Sequence, residues 1–138
     1  MEWKFNTKHP LLNKKLQYSA GILPYTIRDN KIYLLLAKDT QGKWSDFGGR
    51  CSPEDKSDVH YTASREFFEE SLGCIFRIPL VYSILSRKNI QYVIGKTPTG
   101  CNYYMFLLKV NDRNYKENFY SRIDILKHFN CDSYKIEK

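Results

Sequence analysis

Between Arg65 and Glu70 the chain reads Arg-Glu-Phe-Phe-Glu-Glu. In a helix, about 100° per residue would set Glu66, Glu69 and Glu70 within one arc of roughly 100°. Like charges crowded on one face repel and weaken a helix, so a bound cation is a physical reason to keep them together. Hard divalent ions such as Mg²⁺ take oxygen ligands, commonly a few carboxylates plus substrate phosphate. The chemistry on offer is a metal site with positions open to a phosphorylated ligand. The bare string by itself better suits a solvated acidic face, with Arg65 pairing Glu69 one turn on. Its surroundings favour the metal. Gly48-Gly49 lies upstream, and glycine lets main-chain groups approach a metal or phosphate closely. Phe67 falls on the side of Ala63, which marks a partly buried helix.

The elements that must position these residues emerge from pattern and punctuation. Ser57 or Asp58 is a good N-cap, the helix runs to Leu72, and Gly73 is a C-cap. Upstream, Tyr18 to Ile27 reads as a strand, Asp29-Asn30 as a turn, and Ile32 to Ala37 as a second, well-buried strand, making a hairpin. Gln41-Gly42-Lys43 turns the chain again, and Trp44 to Cys51 reads as a glycine-containing loop. Downstream, Cys74 to Ser86 looks extended, interrupted at Pro79. Ile90 to Ile94 and Tyr103 to Val110 form another hairpin around the Gly95–Gly100 turn, and Asn118 to Phe129 has helical spacing. Residues 1–17 read as an irregular lead-in broken at His9-Pro10, and Tyr134 to Lys138 as a polar tail.

These 138 residues suit one domain with a real core. Hydrophobic content of 42% fits a globular chain, and no apolar run approaches the roughly 20 residues of a membrane span. Met1 to Asn6 has no apolar secretory segment, and Cys51, Cys74, Cys101 and Cys131 form no close pair. A cytoplasmic protein with ordinary thiols is expected, and no membrane partner. The net charge of +7 favours anionic partners such as nucleotides, polyphosphates or nucleic acid. The basic residues are dispersed, so a simple solvated lysine-rich surface would look the same.

Residues Gly49 to Gly73 resemble the Nudix box, Gly-x5-Glu-x7-Arg-Glu-apolar-x-Glu-Glu-x-Gly-apolar, matching at Arg65, Glu66, Phe67, Glu69 and Glu70. Trp44-x-x-Phe47-Gly48-Gly49 resembles the family's lead-in. Two departures stand out. The family's first Glu falls on Asp55, with Glu54 beside it, and a two-residue insertion separates Asp55 from Arg65. The closing Gly73 comes one residue late, after Ser71-Leu72. Lengthened boxes of this kind occur in Nudix proteins, viral ones included, and the general look is similar to viral and mRNA-decapping members.

The resemblance implies an α/β (α+β) fold, a Nudix-type α/β/α sandwich with a mixed sheet. Set against that resemblance, a sandwich incomplete at its C-terminus is expected. It implies a hydrolase that uses Mg²⁺ or Mn²⁺ to cleave a phosphoanhydride bond in a nucleoside-diphosphate-linked small molecule or in capped RNA. Hydrolysis of dinucleoside or inositol polyphosphates, or a non-catalytic or truncated binding module of the same fold, are the alternatives. Glu66, Glu69 and Glu70 would ligate metal together with the Gly48 carbonyl. Arg65 would orient the glutamates by charge-assisted hydrogen bonds, supported by Asp55 or Glu54. Whether Glu66 is a ligand or the base stays open.

Overall fold

The structure, a computed structural model, describes residues 3–6 and 17–128. It is an α+β fold built on a curled, mixed, six-stranded sheet with the order β1-β7-β8-β2-β3, and β6 as a further partner of β2. The strands are β1 (Trp3–Asn6), β2 (Tyr18–Arg28), β3 (Lys31–Leu34), β6 (Phe47–Arg50), β7 (Tyr92–Lys96) and β8 (Asn102–Lys109). A separate two-stranded ladder joins β4 (Ala37–Lys38) to β5 (Trp44–Ser45). The helices are α1 (Val59–Glu70), α2 (Ile78–Leu85) and α3 (Tyr115–His128).

β2 organises the sheet. One side pairs parallel with β8 from Tyr18↔Asn102 to Tyr25↔Lys109. The other side takes two partners in succession, β6 against Ser19 to Ile22 and β3 against Tyr25 to Arg28. Pro24, which has no N–H to give, falls in the gap between them, and its carbonyl accepts the Leu35 N–H at 2.9 Å. The Asp29-Asn30 turn has φ of 52° and 59°, as the tight hairpin turn between twisted strands demands.

Alternation along β2 puts Tyr18, Ala20 and Ile22 on the core face, with Phe106 and Leu108 from β8 and Phe47 from β6. α1 adds Val59, Ala63 and Phe67, spaced four residues apart on one stripe. Phe67 meets Phe47 edge to face, centroids 5.4 Å apart. α2 contributes Val81 and Leu85 to the same core, and its Tyr82 hydroxyl donates to the Asp58 carboxylate at 2.5 Å.

The structure corrects several expectations. The stretch from Cys74 to Ser86 is not extended, because Ile78–Leu85 is helical. Pro79 sits in the first turn, where its missing N–H is harmless, and Val81 and Leu85 then share a buried stripe. Trp3–Asn6 is no irregular lead-in but an edge strand antiparallel to β7; residues 7–16 lie outside the described residues. The Trp44 to Cys51 loop contains β5 and β6, glycines included. The second hairpin strand is not well buried: Ile32 is 68% exposed and Leu34 53%. Its apolar run predicts burial, but β3 is the edge of the sheet. The third helix begins at Tyr115 rather than Asn118; the expected end at Phe129 and the polar tail lie outside the described residues.

Candidate metal centre

The site grows from two places, the edge of β6 and the outer face of α1. In β6 the Cys51 N–H donates to the Tyr18 carbonyl at 2.9 Å. By antiparallel alternation, Gly48 then faces Gly21 as a non-hydrogen-bonded pair. The Gly48 N–H and carbonyl therefore both turn away from β2, and the N–H donates to Glu70 Oε2 at 3.0 Å. At Gly49 a β-carbon would fall 2.6 Å from the Glu66 carboxylate. Only glycine lets that side chain lie against the strand.

α1 is aimed by its own start. Asp58 is the N-cap, its carboxylate accepting from the His60 and Tyr61 N–H groups. Before it, Pro53–Asp55 forms a 3₁₀ turn, and Lys56 and Ser57 come next with φ of 53° and 59°. Two successive left-handed residues are thus the physical form of the insertion. They let Asp55 turn back under the helix.

Asp55, not Glu54, meets Arg65. Its side chain is fully buried and receives Arg65 Nε at 2.8 Å and Nη2 at 3.0 Å. The Ser52 N–H and the Thr62 hydroxyl also donate to it, at 2.9 and 2.8 Å. Burial pushes the Asp55 carboxyl up, but the bonds from Arg65, Ser52 and Thr62 outweigh it and hold the carboxyl below its usual range. Those Asp55 bonds, with Glu66 and Glu69 adding to them, raise the Arg65 guanidinium further still. Tyr18 bonds Thr62 at 2.8 Å and so ties the cluster to β2; burial lifts that phenol to about 12. Glu54, by contrast, is exposed and accepts from the Ser52 hydroxyl at 3.0 Å.

With Nε and Nη2 committed to Asp55, Arg65 offers Nη1 to Glu66 and Glu69, at 3.1 Å each. Glu66 is mostly covered, its side chain 14% exposed, whereas that of Glu69 is 55% exposed. Glu66 and Glu70 thus meet the Gly48-Gly49 edge, and Glu69 sits further out. Among the described residues no three His, Cys, Asp or Glu side chains form a ready-made metal cage. Mg²⁺ does not require one, since it usually keeps waters and binds through one or two carboxylates plus substrate phosphates. The glutamates on a glycine edge, with the Gly48 carbonyl turned to the same open side, fit such an ion.

Two residues here carry no signal in the pattern that marks the helix. Asp46 lies between β5 and β6, and Tyr103 on β8 donates its hydroxyl to Asp46 at 2.8 Å. A β-carbon on Gly48 would collide with that hydroxyl. Burial, then the Asp46 carboxylate, then Glu70 and Glu66, push the phenol far above its usual value, so it stays a proton donor. A third feature is Leu72, which holds φ 54° just after the C-cap Ser71. It takes a left-handed position where the box pattern has its glycine. Gly73 comes next at φ 66°, its N–H bonded to the Phe68 carbonyl at 2.8 Å, and Arg122 of α3 donates to the Leu72 carbonyl at 2.9 Å.

Cys51, Cys74 and Cys101 are free thiols, and Cys131 lies outside the described residues. No helix among the described residues is long and apolar enough to cross a membrane. No protein-family profile matches the chain. It is similar to an uncharacterised protein of Acanthamoeba polyphaga mimivirus, 44% identical over an alignment 66 residues long, with 42% of this chain and 20% of that protein covered. The chain therefore spans about one fifth of the length of the relative it matches.

Proposed function

We propose that this chain is a Nudix-type hydrolase, dependent on Mg²⁺ or Mn²⁺, that cleaves a phosphoanhydride bond in a nucleoside-diphosphate-linked substrate. The observation that carries the reading is the meeting of Glu66 and Glu70 with the Gly48-Gly49 edge, Glu70 at 3.0 Å from the Gly48 nitrogen. The Nudix-box resemblance, with a β-hairpin and glycine segment feeding an acidic helix, supports the sandwich form of the fold.

Glu66, Glu69, Glu70 and the Gly48 carbonyl would hold the cation. When bound, it would neutralise substrate phosphate and lower the pKa of a coordinated water. The chain's own part is placement. Asp55 cancels the Arg65 charge and fixes its plane, and Arg65 Nη1 then restrains Glu66 and Glu69. Glu66, the more covered of the two, would serve as ligand or as the base that takes a proton from the attacking water. A preorganised, charged site acts mainly by positioning and electrostatics.

For the substrate, the +7 charge favours a polyanion such as capped RNA. Trp44, two positions before Asp46, is 62% exposed with Lys38 Nζ 5.5 Å from its ring, and offers an aromatic face on which a base would stack. Scattered free thiols suit a cytoplasmic setting. The test is a hydrolysis screen with Mg²⁺ or Mn²⁺ over capped RNA, dinucleoside polyphosphates, nucleoside diphosphate sugars and inositol pyrophosphates. Product formed by wild type, abolished by chelator and by Glu70→Gln, supports the reading. Turnover that ignores both rejects it.

A further inference from the structure

Gly21 and Gly48 stand directly opposite each other across the β2–β6 ladder. Glycine weakens a strand interior, and one there commonly marks a close approach. Here both glycines clear space for one pair of side chains. A β-carbon on Gly48 would strike the Tyr103 hydroxyl, and one on Gly21 would lie 2.7 Å from Asp46 Oδ2. Tyr103 stands on β8, inside the sheet between β2 and β7, whereas Asp46 occupies the single residue between β5 and β6. A rigid strand thus reaches across two glycines to grip a short connection. That connection leads through Phe47 to Gly48.

A phenol has one proton to donate, and at 2.8 Å it goes to Asp46. The backbone beneath this hydroxyl is that of Gly48, whose N–H donates to Glu70. The Gly48-Gly49 edge thus has Glu70 on the Gly48 N–H, Glu66 against Gly49, and the Tyr103 hydroxyl, bonded to Asp46, over Gly48. From these observations, and resting on the metal site proposed above, we propose that Tyr103 and Asp46 form its positioning unit. Tyr103 fixes the Asp46 connection and, through it, the Gly48 main chain, so that the Gly48 carbonyl stays where Glu66 and Glu70 can hold a divalent cation.

The test uses the full chain and Mn²⁺ as the probe, with free Mn²⁺ followed by its paramagnetic resonance signal. Tyr103→Phe removes only the hydroxyl, and Asp46→Asn removes the charge while keeping an acceptor oxygen. Each should weaken Mn²⁺ binding about tenfold or more, the scale of lost outer-shell support. The double variant should bind little worse than either single one, because partners in contact are not additive. Where hydrolysis is measured, kcat should fall at fixed metal and recover in part as Mn²⁺ is raised. A merely structural pair would lower the melting temperature and leave metal affinity alone. Wild-type Mn²⁺ affinity in Tyr103→Phe and in Asp46→Asn overturns the inference while hydrolysis stands. If wild type binds Mn²⁺ with these effects but cleaves no phosphoanhydride, the proposed function fails alone. No Mn²⁺ binding by wild type overturns both.

Discussion

Carboxylates flank α1 in opposite surroundings. On the inner side, Asp55 is wholly buried and takes four hydrogen bonds, two of them from Arg65. On the outer side, Glu66 and Glu69 share the one remaining corner of the same guanidinium, and Glu70 takes a main-chain N–H. Asp55 alone already matches the unit charge of Arg65. The two sides divide the labour: the satisfied acid holds the architecture, and the acids in excess of that single positive charge are the ones proposed to take a cation.

The largest effect is expected at the inner acid. Asp55→Ala takes the carboxylate away from the buried Arg65 Nε and Nη2, and removing one partner of a buried pair costs about 3–5 kcal/mol. Urea unfolding should show it as a lower midpoint. The neighbouring exposed Glu54→Ala should stay within about 0.5 kcal/mol of wild type. Equal losses at the two positions would erase the distinction between them.

The outer acid should behave in the reverse way. Glu70→Gln keeps an oxygen for the Gly48 N–H, so the unfolding midpoint should barely move. Hydrolysis should drop by roughly 10²–10³, as when one preorganised electrostatic group is lost. A variant within a factor of a few of wild-type turnover would remove Glu70 from the metal site.

Acid separates the two sides as well. The folded Asp55 carboxyl titrates below its ordinary value, which is about 3.9 in an unfolded chain. Its contribution to stability is therefore complete above pH ~4 and drains away as pH falls through the folded value. Melting scans from pH 6 downward should show this loss in wild type below pH ~4. The same part of the loss should be missing in Asp55→Asn, whose scans would otherwise start lower.

The smallest effect is backbone relief in the inserted turn. Lys56 is exposed and left-handed, φ 53°, so Lys56→Gly should raise stability by up to about 1 kcal/mol. A loss instead would mean that the Lys56 side chain contributes more than its conformation costs.

Much of the site is legible in the sequence because it is local. The Arg65–Glu70 spacing places three glutamates on one helical face, and the Asp58 cap and Gly48-Gly49 pair lie where that pattern puts them. The hairpin turn at Asp29-Asn30 is equally visible, since its residue types suit positive φ. Long-range or ambiguous features escape. Tyr103 reaches Asp46 from 57 positions away, and no spacing rule reports such a contact. Glu54 and Asp55 are adjacent acids, separable only once the left-handed Lys56-Ser57 pair turns one of them inward. Pro79 breaks a strand and opens a helix equally well, so the sequence around Ile78–Leu85 suits extended chain until its packing is known. The apolar run of β3 predicts burial, but a sheet edge exposes it.

The central claim is that the outer acids bind a divalent cation, and cation-dependent melting tests it most directly. A ligand that binds only the folded state stabilises it by mass action, by about 2.7 kcal/mol at a hundred times its Kd. The melting temperature of wild type should climb with added Mn²⁺ and Mg²⁺. Glu66→Gln/Glu70→Gln, melting at nearly the same temperature without metal, should show little of that rise. A wild type indifferent to millimolar cation, or a double variant that responds as fully, would contradict the account.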